Sequence, residues 1–381
     1  MLSKSESIIV VGAGTFGLST AWHLARAGYT DVTVIDRHDA PSIASAGNDL
    51  NKIFRTEYAE EAYTRLAKEA REVWLNEPVL RGCYHESGYI FAVCGRSPPS
   101  VANYEAAVSN SRARGVEFEL LESPEAFRAK APVLTGEMCG WRGVYNPKAG
   151  WTHARNSLQA LTDECKRLGV KFVSGGAGAV KSFKLWCYAH ITLSDEEAKQ
   201  YRDMPVINNR ELGYLFEPDL ELNRLKVCPH TTGWTHFVDP LCTRSVPRSK
   251  AIHPTDTIPK QAEDEIRAFL SECMPNLANR PFSYSAMCWD ADSPSGGHFL
   301  IDRHPELPNL IVAGGASAHA FKFLPTIGAQ IKDLLEDKLD PELASLWRWR
   351  PGSERIEDTS RPSKPVLDIG NLEGWRHEAN L

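Results

Sequence analysis

The sequence lacks the features that would place the protein in a membrane or on a nucleic acid. No apolar run approaches the ~20 residues that a helix needs to span a bilayer, and the run Ile8–Val11 is too short for the core of a signal peptide. The net charge is −6, whereas a nucleic-acid-binding domain needs a concentrated basic surface. We therefore expect no membrane or nucleic-acid partner and an intracellular protein.

The cysteines lack the spacing of a metal site or a disulfide framework. There are nine of them, an odd number, and no C-x-x-C pair occurs. We therefore expect no metal centre, and most of these residues should be buried small apolar side chains in a reducing compartment. The sequence also lacks internal repeats, so 381 residues predict two domains that share a core.

A strand–turn–helix–strand pattern with a glycine motif occupies the N-terminus. The strand Ile8–Val11 leads into Gly12-Ala13-Gly14-Thr15-Phe16-Gly17, a helical pattern covers Leu18–Ala27, and a second strand ends at Asp36. Such glycines permit a tight turn, let backbone N–H groups approach a pyrophosphate, and let helix and strand pack closely.

The acid at the end of the second strand refines this prediction. Asp36 lies 19 residues beyond Gly17, where a carboxylate binds ribose hydroxyls and disfavours the 2′-phosphate of NADP. The pattern predicts a dinucleotide site, but it does not separate FAD from NAD. A glycine-rich turn without a ligand is the simpler alternative.

Hydrophobic periodicity predicts further elements along the chain. The predicted helices cover Tyr63–Leu75, Val101–Arg114, Ser157–Leu168 and Ile327–Leu335. The predicted strands cover His85–Val93, Val170–Val173 and Leu310–Ala313. The last strand precedes Gly314-Gly315 and a helix, which repeats the N-terminal order, so we expect a discontinuous nucleotide-binding domain.

Motifs in the C-terminal third are more specific than the glycine motif. They are Met287-Cys288-Trp289-Asp290, Gly297-His298-Phe299-Leu300-Ile301-Asp302 and the run from Gly314 to Pro325. Together with Ser45–Ile53 and Trp347–Gly352, they resemble FAD-dependent amine oxidases: monomeric sarcosine oxidases, pipecolate oxidases and fungal fructosyl amino acid oxidases (amadoriases). The resemblance runs from Ile8 to about Trp375, and it disfavours an NAD-dependent dehydrogenase.

The resemblance implies an α/β fold with two domains. One is a Rossmann-like FAD-binding domain of the glutathione-reductase type, as in sarcosine and D-amino acid oxidases, expected at residues 1–56, 139–183 and 283–346. The other is an α+β substrate domain with a mixed sheet, expected at 57–138 and 184–282. The tail, 347–381, should wrap the surface.

The resemblance also assigns roles to single residues. It implies that FAD is bound covalently through Cys288, and that Arg55 and Lys322 hold a substrate carboxylate over the flavin. Lys226 matches the lysine that promotes reaction with oxygen, because a fixed positive charge stabilises superoxide as it forms, and His230 matches an active-site histidine. The implied cofactor-binding residues are Gly12, Gly14, Thr15, Phe16, Gly17, Asp36, Arg37, Ser45, Lys52, Cys288, Gly315, His319, Phe321 and Lys322.

Simpler interpretations of these residues remain open. Arg55 and Lys52 could instead form a solvated surface pair, and Lys226 could be a strand lysine that points outward. A lone histidine such as His230 is more often structural. Lys322 differs because it lies in an apolar run, and a buried lysine needs an anionic partner. A substrate carboxylate would supply that partner.

The implied reaction oxidises a secondary amine of an N-substituted amino acid to an imine, and oxygen accepts the electrons to give hydrogen peroxide. Fructosyl amino acids and N-methyl amino acids are the favoured substrates. We expect a monomer. Ala379-Asn380-Leu381 partly matches a peroxisomal signal, so the peroxisome and the cytoplasm are the expected compartments.

The sequence departs from the family at one place. After Phe183 the relatives continue for several dozen residues, with a small β-meander and a strand interior to the nucleotide-binding sheet. The stretch Val238–Val246 also looks shortened. Loss of that strand should expose apolar edges, so a truncated, non-catalytic flavoprotein remnant or an incomplete gene model is the alternative to a working oxidase.

Overall fold

The computed structural model describes residues 3–175, 184–219, 221–231, 233–238, 245–246, 248, 250, 253–293, 296–350 and 366–375. Three predictions fall wholly or partly outside these residues: the junction around Phe183, the shortened stretch that includes 239–244, and the C-terminal tripeptide that ends at Leu381.

The strands and helices alternate along most of the described chain. The strands are β1 (Ser7–Val11), β2 (Asp31–Asp36), β3 (Asn51–Phe54), β4 (Tyr84–His85), β5 (Tyr89–Val93), β6 (Glu119–Leu121), β7 (Arg142–Asn146), β8 (Gly150–His153), β9 (Lys171–Ser174), β10 (Lys184–Thr192), β11 (Val206–Asn209), β12 (Gly213–Leu215), β13 (Arg224–Pro229), β14 (Trp234–Thr235), β15 (Tyr284–Asp290), β16 (Leu300–Arg303), β17 (Ile311–Gly314) and β18 (Leu367–Asp368). The helices are α1 (Thr15–Arg26), α2 (Glu61–Asn76), α3 (Pro98–Ala113), α4 (Pro124–Lys130), α5 (Ala154–Arg167), α6 (Asp195–Tyr201), α7 (Lys260–Cys273), α8 (Pro275–Ala278), α9 (Ile327–Leu335) and α10 (Pro341–Trp347), with 3₁₀ helices at Pro78–Leu80, Phe321–Phe323 and Ile369–Asn371. None of the helices in this part of the chain combines the length and the apolar composition needed to cross a membrane.

A small parallel sheet carries the N-terminal motif. Its strand order is β1–β2–β9; α1 packs against β1 and β2, and α5 and α9 pack against α1. α1 and α9 cross closely because Gly328 has no side chain: a Cβ there would lie 2.1 Å from the carbonyl oxygen of Ser19. The face under the helices is well packed, with Val32 and Val34 of β2 almost wholly buried.

The opposite face of this sheet is open. The strand register places Ile9, Val11, Ile35 and Val173 on that face. Ile9 is 64% exposed, Val11 63% and Val173 57%. Among the described residues, β1 pairs only with β2, so its outer edge is also free. Within the described residues, apolar side chains are therefore exposed on one face of this sheet and next to its free edge. That a missing block causes this exposure stays a prediction.

This open face leads to a stability prediction. Ile9→Lys should change the free energy of unfolding by less than about 0.5 kcal/mol, because the side chain is exposed, and it should reduce self-association through the strand edge. Val34→Ala, on the buried face, should cost about 2 kcal/mol. Urea unfolding and light scattering measure both effects. Equal destabilisation by the two substitutions would show that the Ile9 face is covered in solution.

The larger sheet is mixed and has the strand order β18–β14–β10–β13–β12–β11–β5–β7–β6, with β15 paired to β10. Most neighbours are antiparallel, but β11 and β5 are parallel, as are β14 and β18. One face packs on α7 and α8 in a large apolar core. A Rossmann-like unit joined to a mixed sheet is the predicted fold class, which is confirmed.

Three neighbouring strands of the larger sheet present one polar face. Lys226 of β13 pairs with His190 of β10, and Cys288 of β15 pairs with Trp186 of β10. Because side chains alternate along a strand, these four residues share a face, while the intervening Ala189 lies in the core on the other side. The pairing of β10 with β13 and β15 thus brings residues distant in sequence to one wall.

The bounds of three predicted elements can be compared with the structure. The ends of β2 and α9 agree with the prediction, but the predicted strand His85–Val93 is two strands, β4 and β5, in different sheets. Every residue of β5 is buried, so its apparent alternation did not reflect a half-exposed strand. The predicted domain boundaries stay a prediction; β15, which they assign to the FAD-binding domain, pairs with β10 of the larger sheet.

Candidate active site and cofactor site

The glycine turn forms as its spacing predicts. Gly12 adopts a φ of +105°, which favours glycine. A Cβ on Gly17 would lie 1.8 Å from the carbonyl oxygen of Gly12, so only glycine lets α1 pack this closely on the turn. Gly14 is the N-cap of α1 and offers no side chain to the free N–H groups of the first helical turn. Those groups can therefore bind a phosphate.

Asp36 at the end of β2 holds this turn. One carboxylate oxygen accepts a hydrogen bond from the backbone N–H of Ala13 at 2.8 Å, and the other accepts from that of His38 at 3.0 Å. A carboxylate has about four acceptor positions, so two remain for ribose hydroxyls. The predicted ribose acid is thus also the residue that fixes the turn.

A cavity of about 1570 Å³ runs from the glycine turn to the larger sheet. Of the predicted cofactor residues, it is lined by Gly12, Gly14, Thr15, Phe16, Asp36, Arg37, Ser45, Cys288 and Gly315. Gly17 does not line it, in agreement with a role in helix packing. We call this space the first cavity.

A second cavity, of about 400 Å³, adjoins the first. It is lined by the remaining predicted site residues: Lys52, Arg55, Lys226, His230, His319, Phe321 and Lys322. Cys288 lines both cavities, and it is the only cysteine among the described residues that does so. The structure therefore brings Arg55, Lys322 and Cys288 to one continuous space.

The first cavity fits the FAD that the resemblance implies. A glycine turn at a free helix N-terminus suits the pyrophosphate, and Asp36 suits a ribose. Cys288 stands where the first cavity meets the second, so a flavin ring at this junction would face the cationic residues. Their roles stay predictions.

Arg55 and Lys322 converge on the ring of Tyr58. The guanidinium carbon of Arg55 lies 4.1 Å from the ring centroid, and Nζ of Lys322 lies 5.4 Å from it. The Tyr58 hydroxyl lies 3.3 Å from Nδ1 of His319, whose Nε2 lies 2.9 Å from the carbonyl oxygen of Gly297. Both cations therefore rest on an aromatic platform that is itself held by hydrogen bonds.

Lys322 is buried, as its apolar neighbours in sequence indicate. It is 4% exposed, and its Nζ donates a hydrogen bond to the carbonyl oxygen of His319 at 2.7 Å. Among the residues that the structure describes, no carboxylate forms an ion pair with it. Burial lowers the pKa of Lys322 well below its ordinary value, and the positive charge of Arg55 lowers it further. An incoming carboxylate would supply the missing countercharge.

Lys226 and Lys52 share one buried carboxylate, that of Asp49. Nζ of Lys52 lies 2.8 Å from Asp49, and Nζ of Lys226 donates to the same oxygen and to the carbonyl of Asn51 at 3.0 Å. Burial alone would raise the pKa of Asp49, but the two ammonium groups outweigh it and hold that pKa well below its usual range. The trio keeps a net charge of +1. Lys226 is 2% exposed, which rules out an outward-pointing strand lysine.

His230 is oriented by the strand beside it. Its Nε2 lies 2.8 Å from the side-chain oxygen of Asn208, whose amide donates to the hydroxyl of Tyr89 at 2.8 Å. Phe321 stacks near Trp74, with ring centroids 6.5 Å apart, and borders Gly47. Both residues thus have fixed positions in the wall of the second cavity.

Cys288 differs from the other described cysteines in its position between the two cavities, and its thiol is not unusually acidic. Burial raises the pKa of its thiol, and the positive charge of Lys52 opposes that effect in part. Burial also raises the pKa of Cys228 to about 11 and that of Cys165 to about 12. The case for a sulfur bond to flavin therefore rests on the junction of the two cavities, where Cys288 stands.

Sequence reasoning missed four charged or polar residues of this site. Asp49 anchors both lysines, Glu57 is buried beside Arg55, Tyr58 carries the cations, and Arg210 lines the second cavity. Asp49 had a usable signal, since it lies three residues before Lys52 in the segment that resembles the family. No sequence signal marked Arg210, because its position at the second cavity depends on the pairing of β5 with β11.

His190, on the wall of the first cavity, leads to a pH prediction. Burial lowers its pKa to about 4, helped by the charge of Lys226, and among the described residues neither ring nitrogen has a hydrogen-bond partner. Its pKa in the unfolded chain is ~6.5. Between these values the unfolded chain binds a proton that the folded chain does not, so stability is lost as pH falls through this window, on the order of 3 kcal/mol in total.

The test is the slope of unfolding free energy against pH for His190→Phe. The substituted ring can still stack on Tyr284, 5.2 Å away in the native protein. Between about pH 6.5 and 4.5 the slope should fall by about one proton relative to the unsubstituted protein. Identical slopes would show that His190 does not titrate in this way.

Comparison with known proteins places this geometry in a family. The chain matches the family described as FAD dependent oxidoreductase over residues 7–186 and 184–334. The two stretches meet where the sequence predicts the missing block. L-saccharopine oxidase of Schizosaccharomyces pombe is 32% identical, with 97% of this chain and 99% of that protein covered. That alignment spans 433 positions, more than the 381 residues of this chain, so the relative has residues without a counterpart here.

Solved structures give the same result. The fructosamine oxidase amadoriase II of Aspergillus fumigatus superposes with a TM-score of 0.89 at 36% identity, covering 99% of this chain and 98% of that one. The fructosyl peptide oxidase of E. terrenum gives 0.88 at 32% identity, with both chains fully covered. Matches that reach from end to end argue against a truncated remnant.

Proposed function

Because the chain belongs to the family of FAD-dependent oxidoreductases, we propose that it oxidises the secondary amine of an N-substituted amino acid to an imine. Oxygen is the electron acceptor and hydrogen peroxide the second product. The observation that carries this proposal is the convergence of Arg55 and Lys322 on Tyr58, in a cavity that ends at Cys288. The names of the relatives contain saccharopine, sarcosine and fructosamine, which are amines of this kind.

FAD, when bound, would accept two electrons from the amine as its C–N bond is oxidised to an imine, and would pass them to oxygen. The glycine turn and the N-terminus of α1 would hold its pyrophosphate, and Asp36 a ribose. Cys288 would hold the ring through its sulfur. Each of these residues lines the first cavity or borders it.

Arg55 and Lys322 bind the substrate carboxylate in this proposal. A guanidinium can form two parallel hydrogen bonds to a carboxylate, and the ammonium adds a point charge. Binding raises the pKa of Lys322 back toward its ordinary value, so substrate association takes up protons where Lys322 is neutral. The surrounding positive charge also lowers the pKa of the substrate amine. The amine is thereby held neutral, with its lone pair available, and no separate general base is required.

Lys226 acts in the half-reaction with oxygen. Its ammonium is buried and positioned by Asp49 and the Asn51 carbonyl, so it needs no rearrangement when negative charge develops on oxygen. A preorganised charge of this kind stabilises superoxide more than a solvated one does. Lys52 shares the same carboxylate and keeps Asp49 neutralised throughout.

We also propose a monomer in the peroxisome or the cytoplasm. Support for the former compartment comes from the peroxisomal sarcosine oxidase of Homo sapiens, which is 24% identical over 86% of this chain. Fluorescence microscopy of a tagged chain whose C-terminus is left free would distinguish the two compartments.

The function is tested by peroxide release from the purified holoprotein on addition of sarcosine, pipecolate, fructosyl-valine or saccharopine. At least one should give peroxide, and Arg55→Gln should raise its KM by about 10- to 100-fold, the effect of a lost charged hydrogen bond. Arg81→Gln, an exposed arginine outside both cavities, is the matched control. A flavin-loaded protein that releases no peroxide with any of the four amines would favour a non-catalytic flavoprotein.

A further inference from the structure

One buried carboxylate, that of Asp49, serves two lysines where the two cavities meet. Asp49 is 6% exposed and lines both cavities. Its Oδ2 accepts hydrogen bonds from Nζ of Lys52 and from Nζ of Lys226. Its Oδ1 accepts from the backbone N–H of Leu50 at 2.7 Å. Because both ammonium groups bind the same oxygen atom, their nitrogen atoms lie no more than two hydrogen-bond lengths apart.

Two ammonium groups this close together depend on the negative charge between them. A like charge at short range disfavours the protonated form of each lysine, and burial does the same. Burial lowers the pKa of Lys52, but Asp49 outweighs this effect, so that pKa lies above its ordinary value. Besides Asp49, the ammonium of Lys226 contacts the carbonyl oxygen of Asn51 at 3.0 Å and the ring of Tyr188, and neither group carries a charge.

The ionisable groups on the neighbouring strands add little charge beside this trio at neutral pH. Burial lowers the pKa of His190 to about 4. Burial also raises the pKa values of the phenol and thiol groups around the trio, which are those of Tyr188, Tyr214, Cys228 and Cys288. Two charged side chains follow on the same strands, where Arg224 acts on His190 and Asp290 acts on Cys288. Within the described part of the chain, the carboxylate that pairs with both lysines is that of Asp49.

We propose that Asp49 keeps both lysines protonated, and that it thereby makes the reaction with oxygen at Lys226 independent of pH through the neutral range. This rests on the proposed role of Lys226 and adds the residue that maintains its charge. Without Asp49, Lys226 is the lysine that loses its proton, because its side chain is 3% exposed whereas that of Lys52 is 23% exposed. Asp49 is a positioning residue, since it acts through Lys226.

The first test is the rate constant with which oxygen reoxidises the holoprotein after its flavin has been reduced photochemically, so that no amine is needed. In the unsubstituted protein this rate constant should stay the same between about pH 6 and about pH 9. In Asp49→Asn it should fall by about 10-fold or more as pH rises, toward the value of Lys226→Met, because a neutral lysine does not stabilise negative charge on oxygen. Asp49→Glu, which keeps the carboxylate, should show no such fall.

The second test needs neither amine nor oxygen, because it measures the slope of the unfolding free energy against pH over the same range. Where Lys226 is neutral in folded Asp49→Asn, the unfolded chain binds one proton more than the folded chain. The stability of this variant should therefore rise with pH, by up to one proton's slope relative to the unsubstituted protein. If both tests give the expected results in a protein that oxidises no amine, the role of Asp49 stands and the proposed oxidation fails.

Asp302→Asn is the matched control for both tests. Asp302 lines neither cavity, and its two carboxylate oxygen atoms accept hydrogen bonds from the backbone N–H groups of Arg303 and Trp349, each at 2.7 Å. The substitution removes a carboxylate that holds backbone groups in place of lysines. The rate constant with oxygen and the slope of stability against pH should both match those of the unsubstituted protein.

If Asp49→Asn does not fold, the double variant with Lys226→Met carries the test, because it removes one of the two ammonium groups that have lost their carboxylate. Restored folding would support the inference, since the defect then depends on the second lysine. A double variant that also fails to fold would overturn it and assign Asp49 a structural role only. The inference is equally overturned if either measured quantity has the same pH dependence in Asp49→Asn as in the unsubstituted protein, or if Asp302→Asn reproduces the changes.

Discussion

Cys288→Ala should release all of the flavin into the supernatant when the protein is precipitated with acid, whereas the unsubstituted protein should give a yellow pellet. The expected difference is nearly complete, because a covalent bond survives denaturation and the hydrogen bonds of the glycine turn do not. The prediction follows from the position of Cys288 at the junction of the two cavities. Absorbance of pellet and supernatant measures it.

Cys228→Ala is the matched control for this experiment. Cys228 also lines the second cavity, on β13 and two residues from Lys226, but it does not line the first cavity. It should therefore leave the flavin in the pellet. If Cys288→Ala retains the flavin, or if only Cys228→Ala releases it, Cys288 is not the residue that binds the flavin covalently.

Lys226→Met should slow the reaction of the reduced protein with oxygen by about 10²- to 10³-fold, the range found when one preorganised electrostatic group is removed. Reduction by the amine should change far less, because Arg55 and Lys322 bind the substrate and are untouched. Stopped-flow spectroscopy resolves the two half-reactions, with anaerobic mixing for the first and oxygenated buffer for the second.

The fold should tolerate this substitution, because Asp49 keeps an ion pair with Lys52 at 2.8 Å when Lys226 is lost. The usual cost of leaving a buried charge without a partner is therefore reduced. Lys226→Arg is the matched control and should retain part of the oxygen rate. If Lys226→Met slows both half-reactions equally, Lys226 positions the site and has no specific role with oxygen.

Local patterns allowed much of the cofactor site to be predicted. The turn from Gly12 to Gly17 and the acid Asp36 act within one strand–turn–helix–strand unit, so spacing alone sets their geometry. The burial of Lys322 was also readable, since its neighbours Phe321 and Phe323 are apolar and pack in the core.

What could not be predicted depends on contacts between distant segments. Asp49 meets Lys226 only because β13 packs beside the segment before β3, and Arg210 reaches the second cavity only because β11 pairs with β5. The residues on the open face of the small sheet also depend on such contacts, because the register of β1, β2 and β9 decides which side chains share that face. Sequence periodicity does not report such pairings.

The most direct test of the account is anaerobic reduction of the bound flavin by an N-substituted amino acid. The account predicts that the visible absorbance of the oxidised flavin disappears on mixing with a suitable amine, and that Arg55→Gln with Lys322→Gln raises the amine concentration needed by at least 100-fold. A flavin that stays oxidised with every amine tested, or a double variant that is reduced at the same amine concentrations as the unsubstituted protein, would contradict it.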